Sequence, residues 1–231
     1  MPRTARIVIP DVKHHVTQRG NNRAQVFFED ADYLKYLELL AKHAAKYQVT
    51  VHGYCLMPNH VHIVLTPHHE KALALAVGRT NFRYTQYINM SKNRSGHLWQ
   101  NRFFSCALDD EHYWTALRYV ERNPVRAQMI NSAIDYRWSS ASAHIAGIDN
   151  TGMLDLVSWQ NEIPANIWRE RLFSPEEEME IMMLRNTTHT GRPLGNEEFI
   201  IEYESKLGKR LSALPVGRPK KKIDKIDKID K

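Results

Sequence analysis

Asn59-His60-Val61-His62-Ile63 sets two imidazoles at i and i+2 in an apolar run, and Tyr119 follows 57 residues after His62 with Asn123 four residues further on. Side chains alternate across a strand, so His60 and His62 project from one face, roughly 7 Å apart at about 3.3 Å rise per residue. That separation lets both rings converge on one divalent cation, and a phenol brought beside the cation supplies a nucleophile. Residue types alone leave other readings open. A His on an apolar strand is more often a hydrogen-bonded core residue than a ligand, and with 12 His in 231 residues some close pairs arise by chance. By spacing alone Tyr119 reads better as a half-buried core aromatic partnered with Trp114 or Tyr113.

The elements that must position these groups are legible around them. Pro58 and Asn59 are turn residues, and Val49–Met57 before them has strand composition, so the His pair opens the second strand of a hairpin. Asp109, Asp110 and Glu111 crowd the start of a helix expected over 110–122, where they complement its dipole. Tyr119 and Asn123 share a face if that helix continues through Asn123, although Pro124 biases Asn123 away from helical angles. Further strands are expected at 12–19, 25–28, 49–57, 60–66 and 98–108, with helices at 31–47 and 71–90. In the first helix Tyr33, Leu34, Leu37, Leu40 and Ala44 fall on helical spacing. This alternation argues for an α+β fold, an antiparallel sheet with helices packed on it.

Met57-Pro58-Asn59-His60-Val61-His62, Leu98-Trp99-Gln100-Asn101-Arg102-Phe103 and Arg118-Tyr119-Val120-Glu121-Arg122-Asn123-Pro124-Val125-Arg126-Ala127 are three landmarks in a fixed order. Together they resemble the HUH single-tyrosine transposases, and within them the REP-associated tyrosine transposase branch, over about residues 7–145. The resemblance implies a ferredoxin-like fold, closed by Trp138-Ser139-Ser140-Ala141. It also implies that His60 and His62 bind a divalent metal, Mg2+ or Mn2+, that Asn123 completes the metal shell, and that Tyr119 is the catalytic nucleophile. Some insertion-sequence relatives have Gln where this chain has Asn123, which makes that ligand less secure than the His pair. The implied activity is cleavage and rejoining of single-stranded, hairpin-forming DNA repeats through a 5′-phosphotyrosine with a free 3′-hydroxyl. Relatives include homodimers that share active sites and others that act alone.

The chemistry calls for such groups. A phenol with a reference pKa near 10 is a poor nucleophile at neutral pH, and cleaving a phosphodiester needs charge stabilised on the phosphoryl oxygens. Two neutral imidazoles and an amide leave a bound cation its full charge. Candidate DNA contacts are Arg19, Asn21, Arg23, Arg83, Trp99, Arg102, Arg126 and Arg218. His14 and His15 lie on the first strand, where one could face the site and a structural role is favoured. Tyr84 and Tyr87 rank below Tyr119 as nucleophiles and could instead stack on bases or pack in the core. His68 and His69 follow Pro67 in a loop.

The chain has 231 residues and net charge +6. Residues 206–231 hold ten Lys or Arg against three Asp, whereas 176–205 hold eight Glu and two Arg. The first 175 residues are therefore near +5, and two basic segments suited to nucleic acid flank an acidic one. Cys55 and Cys106 sit in apolar segments and read as buried free thiols. With no stretch of roughly 20 apolar residues and no signal-peptide core, a cytoplasmic, nucleoid-associated bacterial location is expected.

The expected organisation is a catalytic domain over 1–149, a helical extension over 150–212 and a disordered basic tail over 213–231. The extension has an acidic helix start at Pro175-Glu176-Glu177-Glu178 and a second helix after Thr190–Asn196; the pair could read DNA or simply brace the domain. Val216-Gly217-Arg218-Pro219-Lys220-Lys221-Lys222 resembles an AT-hook core. Competing readings are a relaxase or replication-initiator nickase, a non-catalytic hairpin-binding regulator, and a structural zinc protein, which should show four ligands.

Overall fold

The computed structural model describes residues 6–212. Strands β1 (His14–Arg19), β2 (Val49–Met57), β3 (His60–Pro67) and β4 (Phe104–Ala107) form an antiparallel sheet in the order β2-β3-β1-β4. Helix α1 (Asp30–Lys46) connects β1 to β2, and α2 (Ala72–Ser91) connects β3 to β4. This is the βαββαβ order of the ferredoxin-like fold. The expected AT-hook and low-complexity tail lie outside the described residues.

Register decides what the sheet presents. β3 is central, with His60 opposite Arg19 of β1 and Met57 of β2, and His62 opposite Thr17 and Cys55. Partners directly across a ladder share a face, so His15, Thr17, Arg19, His60 and His62 form one patch. Val16, Val61, Ile63 and Leu65 alternate with them and are fully buried. Helix α1 starts from a capping box in which Glu29 and Asp32 satisfy each other's backbone amides. Tyr33, Leu37, Leu40 and Ala44 are buried as their spacing predicts, whereas Leu34 is 53% exposed, because its position one residue after Tyr33 turns it off the apolar stripe.

Helix α3 (Asp110–Glu121) lies across β1, β2 and β3 on the His face, capped by Asp109, whose carboxylate accepts from the His112 amide at 2.9 Å. It comes close because β2 offers Gly53 beneath it. A Cβ there would lie 2.3 Å from Leu117 Cδ1 and 2.9 Å from Ser140 Oγ. That close approach lowers Tyr119, two residues further along α3, onto the histidines.

Two expected strands differ. Residues 25–28 form none, and the segment expected at 98–108 is a strand only from Phe104. Trp99 still bridges to Gly20, but the Asn101 carbonyl accepts from Gln18 Nε2 at 2.8 Å and the Phe103 carbonyl from Arg6 at 2.8 Å. Side chains thus take the bonds a ladder would have used.

After α3 come α4 (Asn123–Arg126), α5 (Ala141–Ala146), α6 (Leu156–Glu162), α7 (Ala165–Phe173), α8 (Glu178–Thr190) and α9 (Glu197–Leu207). Pro124 interrupts the helix for a single residue, Arg122, and Asn123 is itself helical. The extension is not a separate body. Trp159, Ile163, Trp168, Leu172, Leu184 and Leu194 belong to the same buried cluster as the sheet. Glu121, fully buried, accepts from Ser140 Oγ at 2.5 Å, from His144 Nδ1 at 2.5 Å and from Trp168 Nε1 at 2.9 Å, tying α3 to α5 and α7. Helix α8 packs on β4, and α9 covers Ile9, Val12 and Leu211. Among the described residues no helix is long and apolar enough to cross a membrane, and Cys55 and Cys106 are buried free thiols.

Candidate active site

A cleft of about 580 Å3 opens on the His face, walled by β1 and β3, by Tyr119 and Asn123, and by Arg185, Thr188 and His189 of α8. The Tyr119 ring meets His62 edge-on at 5.4 Å and His15 at 5.9 Å. The His60 and His62 ring centres are 5.0 Å apart. Tyr119 is 5% exposed, His62 6% and Asn123 8%, so the phenol and its neighbours sit on the floor of the cleft with little solvent.

Hydrogen bonds orient both imidazoles. His60 Nδ1 lies 2.6 Å from Asn59 Oδ1, and His62 Nδ1 lies 2.9 Å from His15 Nε2. His15 Nδ1 in turn lies 2.8 Å from Thr188 Oγ1, which is 3.1 Å from Cys106 Sγ. If His62 keeps its Nε2 lone pair, the proton on its Nδ1 donates to His15 Nε2, and the His15 proton must then donate from Nδ1 to Thr188. The Thr188 hydroxyl is left free to donate to sulfur. This chain leaves Nε2 of His62 as its available nitrogen, and the Asn59 contact does the same for His60. Burial, then Arg19, pushes the His60 imidazolium down to about 4. Burial, then Arg126, pushes His15 to about 3. Burial, then His60 and His15, holds His62 well below its ordinary value. All three rings are neutral near pH 7, the form in which imidazole is a ligand.

The residues fit a divalent cation. Among the described residues no three His, Cys, Asp or Glu side chains form a metal cluster, which removes the four-ligand structural zinc reading. Asn123 lines the cleft beside His60, and its Nδ2 is buried with no hydrogen-bond partner. The atom of that amide that could face a cation is Oδ1, an acceptor, and it would do so beside two oriented, neutral imidazoles.

Two guanidiniums hold Tyr119. Arg126 stacks on the ring at 4.0 Å and donates to the Tyr119 carbonyl at 2.6 Å. Arg185 Nε donates to the Tyr119 hydroxyl at 3.2 Å. Arg126 is fixed by Glu176 at 2.7 Å, and the same carboxylate meets Arg122 at 3.0 Å. The acidic helix start expected at Pro175–Glu178 is therefore partly something else: the helix begins at Glu178, and Glu176 clamps Arg122 and Arg126 at the end of α3 and in α4 instead.

The other sequence candidates divide. Arg19 and Arg23 line the cleft. Asn21 is exposed in a short turn beside them. Arg102 lines an adjoining groove. Trp99 is 8% exposed, packs on Tyr36 and Tyr84 and donates to the Asn81 carbonyl, so it is a core residue and does not line the cleft. Arg83 lies on α2, hydrogen-bonded to Gln86, outside the cleft lining. Arg126 is committed to Glu176 and Tyr119, and Arg218 lies outside the described residues. Tyr84 is fully buried and donates to the Val26 carbonyl at 2.7 Å, and its pKa is raised by burial. His14 is a structural residue, bonded to the Val12 carbonyl at 2.7 Å. His68 is tied to Asp11 at 2.7 Å.

Sequence reasoning undervalues His15 and misses Arg185 and Thr188. Alternation along β1 places His15 with Thr17 and Arg19, which is a usable signal. Arg185 and Thr188 carry none, since their partners are 66 and 173 residues away.

Against known families, a model described as "Transposase IS200 like" matches residues 8–123. No curated protein sequence matches the chain significantly. Among solved structures, a REP-associated tyrosine transposase bound to a REP hairpin is similar with a TM-score of 0.55 and 18% identity, over 68% of this chain and 90% of that one. At that identity the likeness is one of fold. A chain from Deinococcus radiodurans R1 assigned as a transposase gives a TM-score of 0.36 at 21% identity, over 55% of this chain and 92% of that one.

Proposed function

The chain belongs to the IS200-like transposase family, and we propose that it is a metal-dependent endonuclease and strand transferase acting on single-stranded, hairpin-forming DNA. One observation carries this reading. The Tyr119 hydroxyl accepts from a guanidinium, Arg185 at 3.2 Å, in a cleft that the neutral, oriented imidazoles of His60 and His62 also line. A nucleophile, an anion-binding donor and a ligand set thus converge on one space, which is what phosphodiester transfer requires. The hairpin as substrate form rests on the similar structure, which holds a REP hairpin.

In the proposed reaction the Tyr119 oxygen attacks phosphorus and the bond from phosphorus to the 3′ oxygen breaks. The 5′ phosphate stays on Tyr119, the phenol proton passes to water in the cleft, and the departing oxygen takes up a proton to become a 3′-hydroxyl. A 3′-hydroxyl of another end then reverses the step and frees the tyrosine. His60, His62 and Asn123 would hold a divalent cation, Mg2+ or Mn2+, which supplies charge against the phosphoryl oxygens. Arg126 fixes the ring by stacking on its face. Arg185 directs the hydroxyl oxygen and is placed to bind a non-bridging phosphate oxygen. Near-complete burial of Tyr119 and His62 keeps bulk water from competing for the phosphotyrosine. The protein is expected to work in the bacterial cytoplasm at the nucleoid, as monomer or homodimer.

The test is incubation of purified protein with an end-labelled single-stranded hairpin in Mn2+ or Mg2+, followed by denaturing electrophoresis. A covalent protein–DNA adduct, abolished by chelator and reduced at least about a hundredfold by His60→Ala or His62→Ala, supports the reading. Normal cleavage by both variants would rule out the His pair as the metal site.

A further inference from the structure

We infer that an arginine-lined groove beside the candidate cleft is a second binding site, for the phosphodiester backbone of the unpaired DNA strand that flanks the cleaved bond. This rests on the function proposed above and adds where the rest of the strand runs. The groove, about 410 Å3, is floored by Asn101–Phe104, where the chain enters β4, and walled by the end of α8 with Arg192. Its charged lining is made of the guanidiniums of Arg6, Arg102, Arg192 and Arg210, and contains neither Asp nor Glu.

The protein holds Arg6, Arg102 and Arg192 without neutralising them. Arg6 donates to the Phe103 carbonyl at 2.8 Å and lies 3.5 Å over the Phe103 ring. Arg192 donates to the Leu211 carbonyl at 2.9 Å and to that of Ser212. Dipoles and a ring face orient both side chains, and no carboxylate pairs with Arg6, Arg102 or Arg192 among the described residues. Burial, then the nearby Arg102 charge, lowers Arg6 to about 10. By contrast, Arg122 and Arg126 share the Glu176 carboxylate. An unpaired cluster that repels itself is a site that a polyanion would stabilise.

The groove is continuous with the cleft, since Asn101, Phe104 and His189 line both. At the junction the Phe104 and His189 rings stack at 4.8 Å and 19°. A basic track with an aromatic step is how proteins hold single strands without reading sequence, the phosphates on the cations and a base on the rings. A strand whose scissile phosphate reaches Tyr119 would pass that step and enter the groove.

Arg102 is the residue to test, because it is exposed and makes no hydrogen bond among the described residues, so its replacement leaves the fold intact. Full-length Arg102→Lys, Arg102→Gln and Arg102→Glu are compared with wild type by fluorescence anisotropy on three DNAs: a blunt hairpin, and the same hairpin with an unpaired flank on its 5′ or its 3′ side. The expected result is an affinity loss on one flanked hairpin graded Lys, Gln, Glu, reaching about tenfold for Glu, with a salt slope shallower by about 0.7 for Gln. Binding of the blunt hairpin is unchanged, and the flank that responds gives the direction of the strand. A loss below about threefold for Arg102→Glu on both flanked DNAs, or an equal loss on the blunt hairpin, overturns the groove as a strand site. Adduct formation by wild type is scored separately: its absence would remove Tyr119 as nucleophile while the binding comparison still decides the groove.

Discussion

His15 Nε2 stands 2.9 Å from His62 Nδ1, the two rings stacked at 5.1 Å and within 6° of parallel. Neutral imidazole has one donor and one acceptor, so this contact couples the tautomers of two histidines on neighbouring strands. Its far end is Thr188, on a helix beyond the family-matched segment. The orientation of a proposed metal ligand is thus set from the extension, through β1.

The first prediction concerns that relay. His15→Ala leaves His62 free to take either tautomer, so cleavage should need more Mn2+, with apparent metal affinity falling about 10- to 100-fold while hairpin binding is retained. Thr188→Val, which removes the last acceptor, should shift the Mn2+ titration in the same direction and less far. Superimposable titrations for wild type and both variants would mean that the relay is only packing.

Tyr119→Phe deletes one oxygen and keeps the ring against His62, His15 and Arg126. Hairpin binding should stay within about threefold of wild type, and the covalent adduct should disappear. If adduct persists, Tyr87 is the residue left to examine, since Tyr84 and Tyr113 are 0% and 2% exposed.

The parts of the site that are legible in sequence are those governed by local periodicity. His60 and His62 are paired by the alternation of one strand, Tyr119 and Asn123 by one helical turn, and β2 and β3 by the Pro58-Asn59 turn. The ferredoxin-like order follows from the same local elements. Illegible are contacts set by packing between distant segments. Nothing near Arg185 marks it as a partner of Tyr119, and Glu176 reads as a helix start because an acidic residue before a helix and an acidic clamp on two arginines have the same composition. Trp99 reads as a DNA contact because a sequence does not say which side of the sheet a loop aromatic enters.

Arg185 should act on the chemical step. Arg185→Ala removes the donor to the Tyr119 hydroxyl, and kcat for nicking should fall about 10- to 1000-fold with little change in KM. Arg185→Lys should restore part of the rate, because a single ammonium replaces the charge but not the planar fork. A variant that nicks faster than wild type would instead make Arg185 a brake on the nucleophile.

Stability should fall on acidification. Burial lowers His14 and His52 to about 4 and His15 to about 3, from 6.5 in the unfolded chain. Between pH 6.5 and about 4 the unfolded chain therefore binds protons that the fold excludes, so stability is intact above 6.5 and is lost as pH drops through this window. Each group contributes up to about 1.4 kcal/mol per pH unit. Urea unfolding at pH 7.5 and pH 5 measures it. His52→Gln, which can keep a bond to Thr66, should flatten the dependence by about one proton; an unfolding midpoint independent of pH would refute the assignment.

The basic tail should anchor DNA without taking part in the chemistry, and the fold says where it can be cut. Leu211 is 1% exposed against α9, and the Leu211 and Ser212 carbonyls receive Arg192, so a deletion starting at Lys206 would open the α9 cluster and the arginine groove together. Cutting after Ser212 spares both. The removed residues 213–231 carry seven Lys or Arg against three Asp, so affinity should fall and the salt slope become shallower by about 0.7 to 0.9 for each phosphate that the tail no longer neutralises. Nicking at saturating DNA should persist, because His60, His62, Tyr119, Asn123, Arg185 and Thr188 all remain in place. If the shortened protein melts like wild type and saturates with hairpin but no longer nicks, a tail residue must reach the cleft, and the separation of anchorage from chemistry fails.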